Sequence, residues 1–440
     1  MASLQRRILF ASIPLYGHLG PLLRQAGELA RRGWRVQVAS TEEALTYTQK
    51  QNQRIEFVTI GAGGLDVGKA EELIERVSAE PDFLKGMMQI ARSMTDTWPV
   101  QYDGFAASFA RHRPDLLVVD FATTAALDAA EAAGIPFMVN NADLLPVLPG
   151  RLFPPVDDVP PLFSGKSRRD FGRLDRLLMP LTRRVGELAA SLTLGRAHNR
   201  CRQSRGLPPV NFHKRLVGKR ILVNSAFGIE YERPLPPEIH MVGPMLDPHE
   251  PALTEAEDSW LRSGPPVVFV NFGTLARPTQ EHVRKLVKGL ESDTFRVLWV
   301  MRPPSTGFLP DTLPSNIRIV PWVSSQMRVL AHPAVRVFVS HCGTNSVQES
   351  LCAGTPVVGF PMFAAQRDMG FRLTDAGVGI HLDKTRFSPD DLRSAIEDVL
   401  TNDSYRNAIG PVRRALYEAG GVHRAADLIE AYAETLIRES

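Results

Sequence analysis

The chain has 440 residues, of which 44% are hydrophobic and 22% are charged, and its formal net charge at pH 7 is +3. This composition is ordinary for a folded protein. So small a net charge, without interleaved basic and aromatic motifs, excludes a nucleic-acid-binding function. Three cysteines with no CxxC spacing exclude a disulfide framework and a cysteine zinc site.

The first residues lead into a strand-like stretch that is too brief for the apolar region of a signal peptide. No run of about 18 uncharged apolar residues, the length of a transmembrane helix, occurs in the sequence. We therefore expect a cytoplasmic protein without a membrane-spanning helix.

The first half of the chain alternates short apolar strands with helical patterns. Residues 7–12 predict a strand, residues 20–33 a helix that ends at Gly33, and residues 34–40 a second strand. A buried strand at 114–121 is followed by a further helix and strand. Strand–helix alternation with continuously apolar strands indicates a parallel sheet covered by helices on both faces.

The same alternation restarts after residues 245–266, which are rich in proline and acidic residues and predict an interdomain linker. A helix is expected over 279–291, and strands are expected at 267–273, 296–301, 317–323, 335–341 and 355–360. The predicted fold class is therefore α/β, with two Rossmann-like domains whose parallel sheets bind ligands in the cleft between them. The predicted boundaries are 1–244, 245–415 and a terminal helix, 416–440, that packs back on the first domain.

One segment departs from the average charge. Between Lys166 and Arg220 there are 15 lysines and arginines but three acidic residues, with apolar patches between them. A solvated helical hairpin accounts for this pattern. The alternative is attraction to an anionic membrane surface or to an acidic acceptor.

The strongest chemical motif is the start of a helix in the second half. A strand ends at His341, and a turn at Gly343 opens a helix whose first N–H groups and positive dipole end favour a bound phosphate. The first residues of this helix are Thr344, Asn345 and Ser346. One turn further on, Glu349 is placed to accept hydrogen bonds from a ribose, and Trp322, after the preceding strand, is placed to stack on a base. Taken singly, Trp322 and His341 are also explained as residues of the hydrophobic core.

The first half carries a candidate general base. His18 falls in the turn after the first strand, and a histidine there takes up a proton near neutral pH. Asp120 ends a buried strand and needs a partner, so it is the predicted carboxylate that orients His18. Weaker alternatives are His112, Asp128 and Asp143.

The segment from Trp322 to Gln366 resembles the donor-binding signature of the UDP-glycosyltransferase family of plant and bacterial natural-product enzymes, and the likeness extends over nearly the whole chain. The resemblance implies a GT-B fold, in which the second of two facing domains binds most of the donor. It implies an inverting hexosyltransferase that moves a sugar from a nucleotide-diphosphate donor to a hydroxyl of a small hydrophobic acceptor. The expected donor is a UDP-sugar, and a dTDP-sugar is the alternative.

The resemblance also implies individual roles. Trp322 would stack on uracil, Glu349 would bind ribose and Gln366 would read sugar hydroxyls. The residues implied to bind the diphosphate are Thr274, His341, Gly343, Asn345 and Ser346. His18 and Asp120 match the family's catalytic dyad by motif and by position.

Three positions depart from the family pattern. Ala365 stands where an aspartate usually precedes Gln366, and Thr344 replaces the tryptophan of plant members while still belonging to the predicted donor site. Gln326 follows Trp322 by one residue more than usual. The departure at Ala365 leaves the identity of the donor sugar open.

Acceptor contacts are expected from methionine and aromatic side chains of the first domain, which adapt to flat apolar ligands. The candidates are Phe83, Met87, Met88, Trp98, Phe121 and Leu144. Such a stripe at helical spacing is also what a plain core looks like.

No metal-ligand pattern is visible, so we expect no metal and no cofactor besides the nucleotide sugar as co-substrate. Two other functions remain open at this stage. One is a catalytically inactive sugar-nucleotide-binding accessory subunit, and the other is a nucleotide-sugar epimerase of the same fold.

Overall fold

The computed structural model describes residues 7–51, 55–63, 67–154, 156, 158–303 and 305–439. Its first sheet has seven parallel strands in the order β3-β2-β1-β4-β5-β6-β7. These strands are β1 (Arg7–Ala11), β2 (Arg35–Ser40), β3 (Glu56–Thr59), β4 (Leu116–Asp120), β5 (Phe137–Asn141), β6 (Ile221–Val223) and β7 (Ile239–Met241). The central strands β4 and β5 are buried throughout, as their continuous apolar sequence predicts.

Helices cover both faces of this sheet. They are α1 (Tyr16–Arg31), α2 (Leu45–Gln51), α3 (Val67–Ala79), α4 (Phe83–Arg111), α5 (Thr124–Ala132), α6 (Arg173–Ala190) and α7 (Arg196–Gln203). Short 3₁₀ helices occur at Glu42–Ala44, Leu145–Val147 and Gly150–Leu152.

The second sheet has six parallel strands in the order β10-β9-β8-β11-β12-β13. They are β8 (Val267–Asn271), β9 (Arg296–Val300), β10 (Ile317–Val320), β11 (Val335–Ser340), β12 (Val357–Gly359) and β13 (Gly379–His381). The helices of this half are α8 (Glu255–Arg262), α9 (Gln280–Leu290), α10 (Gln326–Leu330), α11 (Thr344–Ala353), α12 (Gln366–Asp375), α13 (Pro389–Thr401), α14 (Ser404–Glu418) and α15 (Gly421–Glu439), with a 3₁₀ helix at Ser305–Phe308. The prediction of two Rossmann-like domains with parallel sheets is confirmed.

Buried contacts join the two domains beside the cleft. The guanidinium of Arg372 donates to Glu230 at 3.1 Å, and both side chains are almost fully buried. The ammonium group of Lys384 donates to the carbonyl oxygens of Ser78 and Met362. Val77 of α3 packs into the hydrophobic core of the second domain. The domains therefore meet through a partly apolar contact and do not rely on the linker alone.

The terminal helix α15 lies against α1 of the first domain. Its buried residues Ala425, Ala426 and Ile429 share a hydrophobic cluster with Leu19 and Leu22 of α1. Beyond this apolar contact, the indole of Trp34 donates to Glu430 at 2.6 Å. The helix thus belongs to the first domain by its packing, although it follows the second domain in sequence.

The basic segment 166–220 differs from the predicted hairpin. Helices α6 and α7 form one continuous helical run, because the π-helical turn Ser191–Gly195 between them keeps helical backbone angles at both junctions. The predicted pair of helices is therefore wrong: the chain after Gln203 folds back along this run without a second helix, as the contacts of Asn199 with Val210 and of His213 with Glu187 show.

The predicted linker is also more ordered than its composition indicates. It contains α8, whose capping box joins Thr254 and Glu257. The carboxylate of Glu257 also accepts from the backbone N–H and the hydroxyl of Ser324, in the loop that follows Trp322. The segment therefore holds the loop after Trp322, which lines the cleft between the domains. No helix in the described ranges is both long and apolar enough to cross a membrane.

Candidate active site

A cleft of about 970 Å³ lies between the two sheets. It is lined from the first domain by α1 and by the loop after β5, and from the second domain by the loops after β8, β10, β11 and β12. All of these loops follow the carboxyl ends of parallel strands, where such sheets bind their ligands.

His18 and Asp120 form a pair on the first-domain side of the cleft. His18 is the third residue of α1, and Asp120 is the last residue of β4. Nδ1 of His18 lies 2.9 Å from Oδ1 of Asp120. The other carboxylate oxygen accepts from the N–H of Ala122 and the hydroxyl of Thr123, so the fully buried Asp120 has partners for both oxygens. A proton on Nδ1 then leaves Nε2 as the basic nitrogen.

The surroundings of His18 adjust its pKa. Burial alone would lower the pKa, but the negative charge and the hydrogen bond of Asp120, with a smaller contribution from Asp143, outweigh burial, so the pKa is raised above 6.5. The side chain of His18 is nevertheless 23% exposed and lines the cleft. The imidazole is therefore both accessible and matched to proton uptake near neutral pH.

The opposite wall is built by the start of α11. Strand β11 ends at Ser340, Cys342 has a positive φ of 62°, and Gly343 caps the helix. A non-glycine residue at positive φ stores backbone strain of about 1–3 kcal/mol, and such strain is typical of functional turns. The turn directs the first N–H groups of a ten-residue helix into the cleft, where they favour an anion.

Two glycines make room for the ring of His341. A Cβ added at Gly343 would lie 2.4 Å from Nε2 of His341, and one at Gly273 would lie 2.7 Å from Cε1. The ring is therefore held in a slot that only glycine can form. Burial lowers the pKa of His341 to about 4, although a hydrogen bond with the backbone of Asn271 opposes the shift. His341 is thus a neutral imidazole at physiological pH.

Side chains of α11 reach across the cleft. The amide of Asn345 donates to the carbonyl oxygen of Gly17 at 2.8 Å, and the hydroxyl of Thr344 donates to Asp143 at 2.9 Å. Gly17 is the neighbour of His18, and Asp143 acts on the pKa of His18. The anion-binding helix and the basic histidine are therefore fixed relative to each other.

A polar network extends from α11 towards α10. The amide of Gln326 donates to Glu349 at 2.7 Å and accepts at its oxygen from Asn271 at 2.6 Å. Arg24 lies 3.8 Å from the other oxygen of Glu349. Burial raises the pKa of Glu349, and the charge of Arg24 and the hydrogen bond of Gln326 partly oppose this. The side chain of Glu349, which lines the cleft, therefore has a preset orientation.

The family model described as UDP-glucoronosyl and UDP-glucosyl transferase matches residues 211–414. UDP-glycosyltransferase 1 of Phaeomoniella chlamydospora is 28% identical over 371 residues, which are 79% of this chain and 74% of the relative. The chain is thus similar to UDP-glycosyltransferases over most of its length. It is a glycosyltransferase of the kind that uses UDP-sugar donors.

Solved structures agree with this fold at lower identity. The glycotransferase of kitacinnamycin superposes with a TM-score of 0.72 at 20% identity, over 97% of this chain and 98% of its own. Glycosyltransferase VinC, solved in complex with dTDP, gives a TM-score of 0.70 at 18% identity, over 98% of this chain and all of its own. The GT-B architecture implied by the sequence is confirmed.

In this UDP-glycosyltransferase, all nine residues predicted to bind the donor line the single cleft described above: Thr274, Trp322, His341, Gly343, Thr344, Asn345, Ser346, Glu349 and Gln366. Trp322 is not a core residue, because it is 64% exposed, and the guanidinium of Arg302 lies 5.7 Å from the centre of its ring. Oε1 of Gln366 accepts from the N–H groups of Met362 and Phe363, which fixes the direction of its side chain.

The six predicted acceptor residues do not lie among the side chains that line this cleft. Trp98 and Leu144 are fully buried, and the indole of Trp98 donates to Asp128 at 2.9 Å. Phe83 is buried, with the cationic groups of Arg367 and Lys384 over its ring. Elsewhere on α4, Met87 is half-buried and Met88 is half-exposed. Phe121 alone approaches the site, with its ring 5.6 Å from that of His18. Within the stripe on α4, Phe83 and Trp98 are core residues, as helical spacing also indicated, whereas Met87 and Met88 are not.

Sequence reasoning missed several cleft residues of this glycosyltransferase. Arg24 had a usable signal, because it is a charged residue within an otherwise apolar stretch of α1 and so needs a buried partner. Gln326, whose spacing from Trp322 departs from the family pattern, contacts Glu349. Asp143 was considered only as a base, and its contact with Thr344 depends on how the domains are placed.

Proposed function

We propose that this glycosyltransferase inverts the anomeric carbon of a UDP-sugar and transfers the sugar to a hydroxyl of a small hydrophobic acceptor. The observation that carries the proposal is the His18–Asp120 pair at 2.9 Å, held across the cleft from the start of α11 by the Asn345–Gly17 hydrogen bond. A base on one wall and an anion site on the other are the two groups that a single displacement needs.

In the proposed reaction, Nε2 of His18 takes the proton of the acceptor hydroxyl as that oxygen attacks the anomeric carbon. The bond between this carbon and the β-phosphate oxygen breaks, and the electron pair leaves with UDP. Asp120 stabilises the imidazolium and does not itself take the proton. Attack from the side opposite the leaving group converts an α-linked donor sugar into a β-glycoside.

The leaving diphosphate is proposed to bind at the start of α11. Its charge meets the free N–H groups of the helix, the hydroxyl of Ser346 and the imidazole of His341. Nδ1 of His341 is buried without a hydrogen-bond partner among the described residues, which favours pairing with a ligand. We propose that these groups replace a divalent cation and that no further cofactor takes part.

A small hydrophobic acceptor is proposed for the first-domain side of the cleft. Aromatic and aliphatic side chains line it there, including Tyr16, Pro21, Leu23 and Tyr47. The rings of Tyr16 and Tyr47 lie 5.4 Å apart. Such side chains supply apolar contact area for a hydrophobic ligand, and His18 beside them supplies a polar group that orients it.

The pH dependence of transfer tests the role of the pair. Only neutral His18 accepts a proton, so kcat/KM is expected to fall on the acidic side of a pKa above 6.5. Asp120→Asn removes the charge that raises this pKa and leaves the burial that lowers it. In Asp120→Asn the acidic limb of the kcat/KM profile is therefore expected to have its midpoint below pH 6.5 instead of above it. The maximum value of kcat/KM should also be lower. Asp143→Asn should move the limb less, and a limb that stays in place in Asp120→Asn would refute the pairing.

The sugar preference is expected to depend on Ala365. Its side chain is nearly buried and lines the cleft beside Gln366, where the family usually has an aspartate. Asp368 is not expected to supply the missing acceptor, because it does not line the cleft, although its Oδ2 is buried without a hydrogen-bond partner among the described residues. A sugar hydroxyl left unpaired costs roughly 1–3 kcal/mol. Ala365→Asp should therefore raise kcat/KM for UDP-glucose about tenfold relative to the best deoxygenated, methylated or N-acylated donor.

The control for this measurement is Asp368→Asn, which should leave the donor ratio unchanged. If Asp368→Asn alters the ratio and Ala365→Asp does not, Asp368 reads the sugar and Ala365 does not face it.

A further inference from the structure

Helix α6 turns an apolar face to solvent. Each of its members is between 43% and 76% exposed: Leu174, Leu177, Leu178, Leu181, Val185 and Leu188. At helical spacing these six side chains occupy an arc of roughly 100°. The opposite side of α6 faces the protein through Met179, which is 2% exposed. A surface helix usually turns its apolar side towards the core, whereas α6 turns its apolar side to solvent.

The charges around this face have one sign. Arg173 and Arg184 are exposed at the edge of this face, and no carboxylate among the described residues pairs with either of them. Both acidic residues of α6 are in ion pairs: Asp175 pairs with Lys166, and Glu187 pairs with Arg151 at 2.9 Å. A surface with exposed leucines and free arginines, but without free acids, is complementary to an apolar layer under negative charges.

We infer that the α6 face is a docking surface for an anionic lipid bilayer. In this arrangement α6 lies in the plane of the interface, with the leucines among the acyl chains and the arginines at the lipid phosphates. A second copy of the chain fits less well. A two-fold contact would place the same patch against itself and bring arginine towards arginine without an acid to separate them. This contact is independent of the transfer reaction, because the α6 face does not line the cleft.

The test is flotation of the full chain with vesicles of phosphatidylcholine, with and without phosphatidylglycerol. We expect binding to the anionic vesicles at low salt, little binding to the neutral ones, and release at about 1 M salt, where the Debye length falls to about 3 Å. Arg173→Gln and Arg184→Gln together should weaken partitioning by roughly 25-fold, or about fivefold for each charge. Leu177→Ser with Leu181→Ser should weaken it by at least about tenfold.

Val100→Ser, on α4, is the matched control because Val100 is also about half-exposed but lies outside the α6 face, and it should bind as the wild type does. All of these variants should retain wild-type transfer activity, which shows that they fold. Absence of binding to anionic vesicles at low salt would overturn the inference. So would a dimer, seen by sedimentation velocity, that the leucine variant dissociates while vesicle binding is absent.

Discussion

His18→Ala is expected to lower kcat by about 10²–10⁴-fold, the usual effect of removing a general base. Its imidazole is the basic group fixed by Asp120 at 2.9 Å, and alanine leaves the acceptor hydroxyl without a proton acceptor in the cleft wall. The affinity for UDP should change little, because the proposed donor contacts come from the second domain. Steady-state transfer rates and a UDP binding isotherm measure the two effects separately.

The matched control for His18 is His112→Ala, which removes an exposed histidine at the end of α4. His112 lies outside the cleft, and the variant should have wild-type activity. Transfer at the wild-type rate in His18→Ala, or a comparable loss in His112→Ala, would remove the general-base assignment.

Gly343→Ala is expected to lower kcat/KM for the donor by on the order of 10²-fold, similar to the loss of one preorganised hydrogen-bond donor. The backbone at Gly343 has φ −65° and ψ 135°, which alanine adopts without strain. The effect therefore has one cause, the new Cβ that would lie 2.4 Å from Nε2 of His341 and displace the ring. Donor titration and transfer kinetics measure the loss.

A double-mutant cycle isolates that cause. In a His341→Ala background the ring is gone, so Gly343→Ala should add little to the loss. Gly410→Ala, in α14 of the same domain, meets nothing within 4 Å and is the control for a glycine substitution in itself. Additive effects of the two changes at 341 and 343 would show that Gly343 acts on the donor by another route.

The sequence predicted the fold and the cleft position of the proposed donor residues because both depend on local patterns. The continuous apolar runs that became β4 and β8 fix strands buried in parallel sheets. The residues proposed to bind the donor follow strand ends or begin α11, and parallel sheets place such ends along one edge. His18 and Asp120 are 102 residues apart, yet they meet because β1 and β4 are neighbours in the sheet.

Features that depend on the packing of distant elements were not predictable in this way. Trp98 and Leu144 are of residue types that are common in ligand-binding sites, but both are fully buried. A single sequence does not distinguish a stripe of core residues from the wall of a pocket. The contacts of Arg24 with Glu349 and of Thr344 with Asp143 require the relative placement of the domains. The exposure of Leu177 likewise follows from which side of α6 carries Met179 into the protein.

The anomeric configuration of the product tests the central claim most directly. The wild-type enzyme would be incubated with an α-configured UDP-sugar and a small hydroxylated aromatic acceptor, and the coupling constant of the anomeric proton would be read by NMR. Direct displacement by an acceptor oxygen deprotonated at His18 predicts a β-glycoside. An α-glycoside would contradict the single displacement and the role of His18 in it.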